Sequence, residues 1–283
     1  LGHGQSVLSP VQYQVLLGFR SFGPAGGFKS SGRTIPGGAS VADIVVIMAK
    51  TNPEAPRHQQ FSTFIVELPN PGYRIIRDIK TMSAESELSH ILGGGHAEVE
   101  IKNLVVSADN LLGGEGNGFG MGQHRLAYGR LRHGMHNVAM AQRALDLAAA
   151  HITKRETFGK KLADRQAVQF MMAECATQLY IARLMLLHIA YKAEKGLDLR
   201  QENSIAKVYL AHMVHHVVDT AIQLHGALGY SMDTPLARWY TQIRSQRLVD
   251  GADEVHRWTV GRNVIKAFQR DGTTAAAAGG DLL

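Results

Sequence analysis

The apolar positions of this chain change their spacing part-way along it. From about residue 42 to 106 they fall in short runs divided by turn residues: DIVVIMAK, then FSTFIVEL after NPEAPRHQQ, YRIIRDI after NPG, and HAEVEIKNLVV. Such runs, rich in β-branched residues and bounded by Pro, Gly and Asn, read as strands of a small β unit. Beyond the glycine-rich LLGGEGNGFG (111–120) the spacing becomes helical. Val168, Met171, Met172, Cys175, Leu179, Ala182, Leu186 and Ile189 recur at steps of three and four, which predicts one apolar face along a long helix. Ile205, Val208, Ala211, Val218 and Ile222 predict a second face, and Leu126, Met135, Val138, Ala141 and Leu145 mark an earlier helix. Asp164 is a candidate cap for the second helix, Gly196 its terminator, and Gly226 to Gly229 end the third.

Long helices joined by short loops pack best as an antiparallel bundle. The first forty residues, including GPAGGFKSSGRTIPGGAS, show no periodicity and read as loop. The expected organisation is an irregular segment 1–40, a β middle domain 41–112, a helical bundle 113–270 and a flexible tail 271–283. The fold class is α+β, mainly α: a small β-barrel or sandwich followed by an antiparallel four-helix bundle.

Composition narrows the class. A hydrophobic share of 45% suits a soluble globular protein, and no uninterrupted apolar run approaches the ~20 residues of a membrane span. The start, LGHGQSVLSP, lacks the layout of a signal peptide, so an intracellular location is expected. The single cysteine, Cys175, excludes an intrachain disulfide and fits a reducing compartment. A net charge of +6 suits anionic partners, phosphate-rich small ligands among them. No run of five or more basic residues marks a nucleic-acid arm, so nucleic acid is not an expected partner.

Four segments could carry chemistry. GGEGNGFG follows a strand and precedes a helix, but no parallel strand follows, so a hinge is the better reading than a dinucleotide loop. In RETFGKKL, Arg155 could clamp a phosphate and Phe158 offers a flat apolar face; alone, the segment reads rather as a surface loop. QLHGALGY closes a helix with small residues, which either terminate it or admit a close neighbour. LVDGADEVHR sets Asp250, Asp253 and Glu254 around Gly251; the helix dipole explains acids there, and a catalytic base is the sharper alternative. His212, His215 and His216 show no metal-ligand spacing, so no metal is expected.

Together and in order, RETFGKKLADRQAVQF, IQLHGALGY and RSQRLVDGADEVHR resemble the signature segments of the acyl-CoA dehydrogenase carboxy-terminal bundle. LLGGEGNGFGMG and AQRAL fit the same alignment, which covers about residues 42 to 268. Within the family the chain resembles the branch fused in eukaryotes to a phosphotransferase-like domain, whose members also carry Asp-Gly-x-Asp-Glu.

That resemblance implies an FAD enzyme that puts an α,β double bond into an acyl-CoA thioester. The implied partners are an acyl-CoA substrate, an electron-transfer flavoprotein as electron acceptor, and further copies of the chain in a homodimer or homotetramer. It implies that Asp250 is the base. Arg155, Phe158 and Gln166 would contact FAD, the neighbour's rather than the chain's own, with Gln223, Leu224, His225, Gly226 and Ala227 on its other flank. Ala252, Asp253 and Glu254 would lie along the flavin, Gly251 beside the thioester, and Arg130 near the active site. Phe28, Lys29 and Ser30 would stand at the family's Trp-x-Thr flavin contact. Some relatives place the base on the first bundle helix; here that position is Gly129, which cannot serve.

The resemblance also implies departures. The family's amino-terminal helical domain and its Thr-Glu-Pro-rich flavin segment have no counterpart in residues 1–40. Two other classes share the fold: a flavin-dependent oxidase of the nitroalkane-oxidase type, also with an aspartate base, and a non-catalytic DNA-associated flavoprotein. The implied location is cytoplasmic in a bacterium, and mitochondrial or peroxisomal in a eukaryote.

Overall fold

A computed structural model describes residues 38–82 and 96–278, with the backbone of three short strands at 5–7, 13–15 and 33–34. Phe28, Lys29 and Ser30 lie outside the described residues. The chain divides into two units, Leu1–Leu126 and Ala127–Leu283, a boundary later than the one expected from glycine content.

The first unit carries β1 (Gln5–Val7), β2 (Tyr13–Val15), β3 (Arg33–Thr34), β4 (Ile44–Lys50), β5 (Phe61–Glu67), β6 (Tyr73–Ile79), β7 (His96–Ile101), β8 (Val105–Ser107) and β9 (Leu111–Leu112). One sheet runs β2-β4-β5-β9, another β3-β7-β6, and β1 pairs with β8. Among the described residues these sheets close no barrel. Alternation along β7 buries Ala97, Val99 and Ile101, which join Val45, Ile47, Phe64, Val66 and Leu104 in one core. On the outer face Arg74 pairs with Glu100 and Arg77 with Glu98 across the strands.

The glycine-rich connector is packed, contrary to its reading as a hinge. Gly116 N–H donates to Ser62 Oγ at 2.9 Å. A Cβ on Gly118 would stand 2.8 Å from Thr63 Oγ1 and 2.9 Å from the Ser62 carbonyl carbon. Glycine is needed there because the chain lies flat against β5.

The helices are α1 (Gly118–Ile152), α2 (Gln166–Glu194), α3 (Arg200–His225), the single turn α4 (Ala227–Tyr230), α5 (Leu236–Ile243) and α6 (Asp253–Asp271). The four long ones form the antiparallel bundle. Its core takes Ala141, Ala144 and Ala148 from α1, Leu179, Ala182 and Ile189 from α2, and Leu210, Val214 and Val217 from α3. The predicted face of α2 is the buried one except at Met171, which is exposed; Met135 of α1 is exposed too. On α3 the predicted stripe is only part of what is buried, because this helix is covered on most sides: Ala206, Leu210, Met213, Val217 and Leu224 are also inside.

Asp164 is not the cap of α2. It sits in a 3₁₀ turn, Leu162–Asp164, and Arg165 takes the N-cap position without a side-chain bond. Gly196, at φ 67°, does end α2, and Leu197 N–H donates to the Lys192 carbonyl at 3.0 Å. By length and composition α2 is apolar enough to cross a membrane, although polar residues interrupt its apolar run. Its stripe Val168, Cys175, Leu179, Ala182, Leu186 and Ile189 is nevertheless buried in the bundle. Within the tail, Ala275–Ala278 form a 3₁₀ turn, and the Ala277 carbonyl accepts from Gln201 Nε2 at 2.7 Å.

Candidate active site

Asp250 sits in the tight turn between a 3₁₀ segment, Arg244–Arg247, and α6. Its φ is 53° and that of Gly251 is 108°, both in the left-handed region. Gly251 is required for space as well, since a Cβ there would stand 2.4 Å from His256 Nε2. Two donors hold the Asp250 carbonyl: Arg130 Nε of α1 at 3.0 Å and His256 Nε2 of α6 at 3.1 Å. Burial, reinforced by the charge of Arg130, pushes the His256 pKa down to about 4, so at neutral pH the ring is uncharged and carries its proton on the nitrogen facing that carbonyl.

The Asp250 side chain is only 2% exposed, and His133 Nε2 lies 3.3 Å from its Oδ2. Beside it is a cavity of about 10 Å³, which Arg130, His133, Asn137, Lys207 and Gln246 help to line. That space holds about one water molecule. That cavity is too small for an acyl chain; a separate, open and mainly apolar groove of about 580 Å³ lies between α1 and α2, lined by Leu131, Met135, Val138, Leu186 and Leu187.

Asp253 is the centre of a separate network. Lys207 Nζ lies 3.1 Å from Oδ1, while His212 Nε2 at 2.9 Å and Arg247 Nε at 3.0 Å share Oδ2. Burial acts to raise the Asp253 pKa, but the hydrogen bonds from Arg247, Lys207 and His212 outweigh it and hold the carboxyl below its ordinary value. The Lys207 ammonium is pushed down by its own burial, against the opposing pull of Asp253. Glu254 is exposed, Ala252 half-buried, and no side chain caps the first turn of α6.

The remaining candidates gather at the far end of the bundle. Arg155, Phe158 and Gln166 are all exposed, and the first two belong to a hairpin in which Glu156–Thr157 pairs with Lys160–Lys161. Phe158 and Gly159, both at positive φ, form its two-residue turn, and the Phe158 ring is 98% exposed. Gln223, Gly226 and Ala227 are exposed at the end of α3, whereas Leu224 is in the core. His225 stacks on His151 of α1 with ring centroids 4.4 Å apart, which ties these two groups together. Arg130 lies a third of the way along α1 and His151 at its end, about 30 Å apart at ~1.5 Å per residue.

The profile described as "Acyl-CoA dehydrogenase, C-terminal domain" matches residues 116–265, just over half of the chain. The chain belongs to the acyl-CoA dehydrogenase family. It is similar to acyl-CoA dehydrogenase family member 11 of Gallus gallus, 38% identical over 222 residues that cover 77% of this chain and 28% of that protein. A probable acyl-CoA dehydrogenase of Mycobacterium tuberculosis is 36% identical over 237 residues, covering 83% of this chain and 56% of that one. Among solved structures, butyryl-CoA dehydrogenase of Megasphaera elsdenii matches with a TM-score of 0.72 at 26% identity, covering 82% of this chain and 60% of its own. The chain therefore spans between about a quarter and three-fifths of these relatives.

In this acyl-CoA dehydrogenase chain, residue pattern singled out Asp250 and Gly251 and the family resemblance added Arg130; His133, Lys207 and His256 were not found, and His212 was weighed only as a metal ligand. His133 had a usable signal: it follows Arg130 by three residues and shares its helical face. Lys207 had none, since a lone lysine among α3's apolar residues reads as solvent-facing. His212 lies on Asp253, and His215 Nδ1 faces the Ala211 carbonyl at 2.7 Å.

Proposed function

We propose that this chain is the base-bearing portion of an FAD-dependent acyl-CoA dehydrogenase. The observation that carries the reading is the buried Asp250 carboxylate, set beside a small polar cavity by a turn whose carbonyl is pinned from two helices. Removing the α proton of a thioester needs a carboxylate shielded from water and donors for the developing enolate oxygen. Asp250 takes that proton: the Cα–H bond breaks, an O–H bond forms on the carboxylate, and the electron pair moves toward the thioester oxygen. Gly251 would lie beside the thioester, and its missing side chain makes room for the His256 ring that helps to fix the turn.

Two features fit FAD. An aromatic ring is held out at Phe158, in the same connection as Arg155, and the uncapped first turn of α6 follows the base with free backbone donors suited to an electron-rich group. Arg155, Phe158, Gln166 and Gln223 to Ala227 would hold one end of the dinucleotide, and Ala252 to Glu254 the flavin. When bound, FAD supplies the hydride acceptor that completes an α,β-desaturation, with an electron-transfer flavoprotein as the expected next acceptor.

The two residue groups are about 30 Å apart along α1, which supports a cofactor shared between copies of the chain. An apolar strip on α2, with Phe170, Tyr180, Ile181, Leu184 and Leu187 exposed, supports self-association. The test is the visible spectrum of the purified protein. Flavin bands that bleach anaerobically with butyryl-CoA or palmitoyl-CoA support the reading, and flavin that neither acyl-CoA bleaches overturns it.

A further inference from the structure

The Asp250 backbone is fixed from two sides, but a fixed backbone does not by itself set the direction of the carboxylate. His133 reaches that carboxylate directly, its Nε2 3.3 Å from Oδ2. Its spacing from Arg130 places both on one face of α1, so one residue takes the carbonyl of Asp250 and the other its side chain. The next residue, Gly134, seats this part of the helix. A Cβ there would stand 2.6 Å from Leu186 Cδ2 and 2.8 Å from Leu210 Cδ1, so its absence lets α1 lie close to α2 and α3. The His133 ring is thereby held at a defined depth, partly exposed beside a carboxylate that is not.

We propose that His133 is a positioning residue for Asp250, holding the carboxylate toward the cavity while Arg130 holds the carbonyl; this rests on the reading of Asp250 as the base. At 3.3 Å the approach is that of an ion pair; in its positioning role the imidazole turns an Nε2–H toward Oδ2 and takes no proton from the substrate. A donor to the ionised carboxylate favours the ionised form and restricts its rotation, which keeps the base aimed. The other ionisable groups facing Asp250 are Arg130 from α1, Lys207 from α3 and His256 from α6. All three remain when His133 is replaced, so the loss of one donor can be read against them.

The test uses carbon-13 NMR of the aspartate carboxyls in the full chain, with the Asp250 signal assigned by its loss in Asp250→Asn. His133→Leu is expected to raise the Asp250 titration midpoint by about one unit, and His133→Gln, which keeps an N–H donor, to return most of that shift. An unchanged midpoint in His133→Leu overturns the proposal. Should that variant not fold, the wild-type imidazole decides. Its nitrogen-15 shifts must step as Asp250 titrates and lose that step in Asp250→Asn; no step overturns the proposal. In parallel, flavin reduction by saturating butyryl-CoA or palmitoyl-CoA should slow about tenfold or more in His133→Leu with KM little changed, and recover in His133→Gln. If wild-type flavin is not reduced by either acyl-CoA, the acyl-CoA reading fails while the two NMR measurements still decide whether His133 holds Asp250.

Discussion

Lys207 and Asp253 meet inside the bundle, Nζ 3.1 Å from Oδ1, with side chains 7% and 1% exposed. Removing one partner of a buried pair leaves the other charge without compensation, a loss of about 3–5 kcal/mol. Asp253→Asn is therefore expected to destabilise the chain by about 3 kcal/mol, toward the lower figure because Arg247 and His212 can turn to water. Urea unfolding of the flavin-free protein checks this. A second substitution, Lys207→Met, should recover part of the loss. If stability changes only with FAD present, Asp253 acts on the cofactor instead.

Asp250→Asn keeps size and shape while removing the charge. The turn should survive, because the carbonyl that Arg130 and His256 hold belongs to the backbone. In a preparation that reduces its flavin with acyl-CoA, the rate should fall about 10²–10⁴-fold. Stopped-flow absorbance decides; a rate near wild type removes Asp250 from the mechanism, and Gly129 cannot replace it.

His256 should make the fold sensitive to acid. Unfolded, its imidazole titrates near 6.5; folded, burial holds it at about 4. Between those values the unfolded chain binds more protons, so acidification favours unfolding. The stability that this group contributes is fully present above about pH 6.5 and is lost as pH falls to about 4, on the order of 3 kcal/mol. The difference between wild type and His256→Gln in urea midpoints across that window isolates it. Parallel curves would contradict the assignment.

Arg155→Ala should weaken FAD retention roughly ten- to hundredfold, as loss of a charge-assisted contact worth about 1.5–3 kcal/mol implies. Unchanged retention would make Arg155 a surface residue. Because Arg155 and Asp250 belong to opposite ends of the bundle, oligomers mixed from Arg155→Ala and Asp250→Asn chains should contain some sites with both residues intact. They should reduce more flavin than either parent. Light scattering that finds only monomer at micromolar concentration would rule out shared sites.

The sequence made elements legible where burial is one-sided. The stripe from Val168 to Ile189 and the alternation in HAEVEI read correctly because water touches one face of each. It was less informative on α3, where Ala206, Leu210, Val214 and Val217 add a second buried side and blur the period. Glycines misled when counted as flexibility: Gly118 is present because β5 lies against it, and Gly116 because its φ is 76° and the Gln59 carbonyl lies beside it. At the site, adjacency in sequence brought Asp250, Gly251 and Asp253 to notice, but Lys207 and His256 gain their roles from the turn that brings α1, α3 and α6 together. No spacing along one helix announces such a meeting.

Phe158 occupies a turn position better suited to asparagine or glycine, at φ 50° with its ring in solvent. The left-handed conformation disfavours such a residue by about 1 kcal/mol. A directed-evolution screen that selected this chain for heat resistance alone would thus enrich Phe158→Asn early. It would harden the protein while discarding the ring, so any such library should be sorted on flavin fluorescence together with solubility.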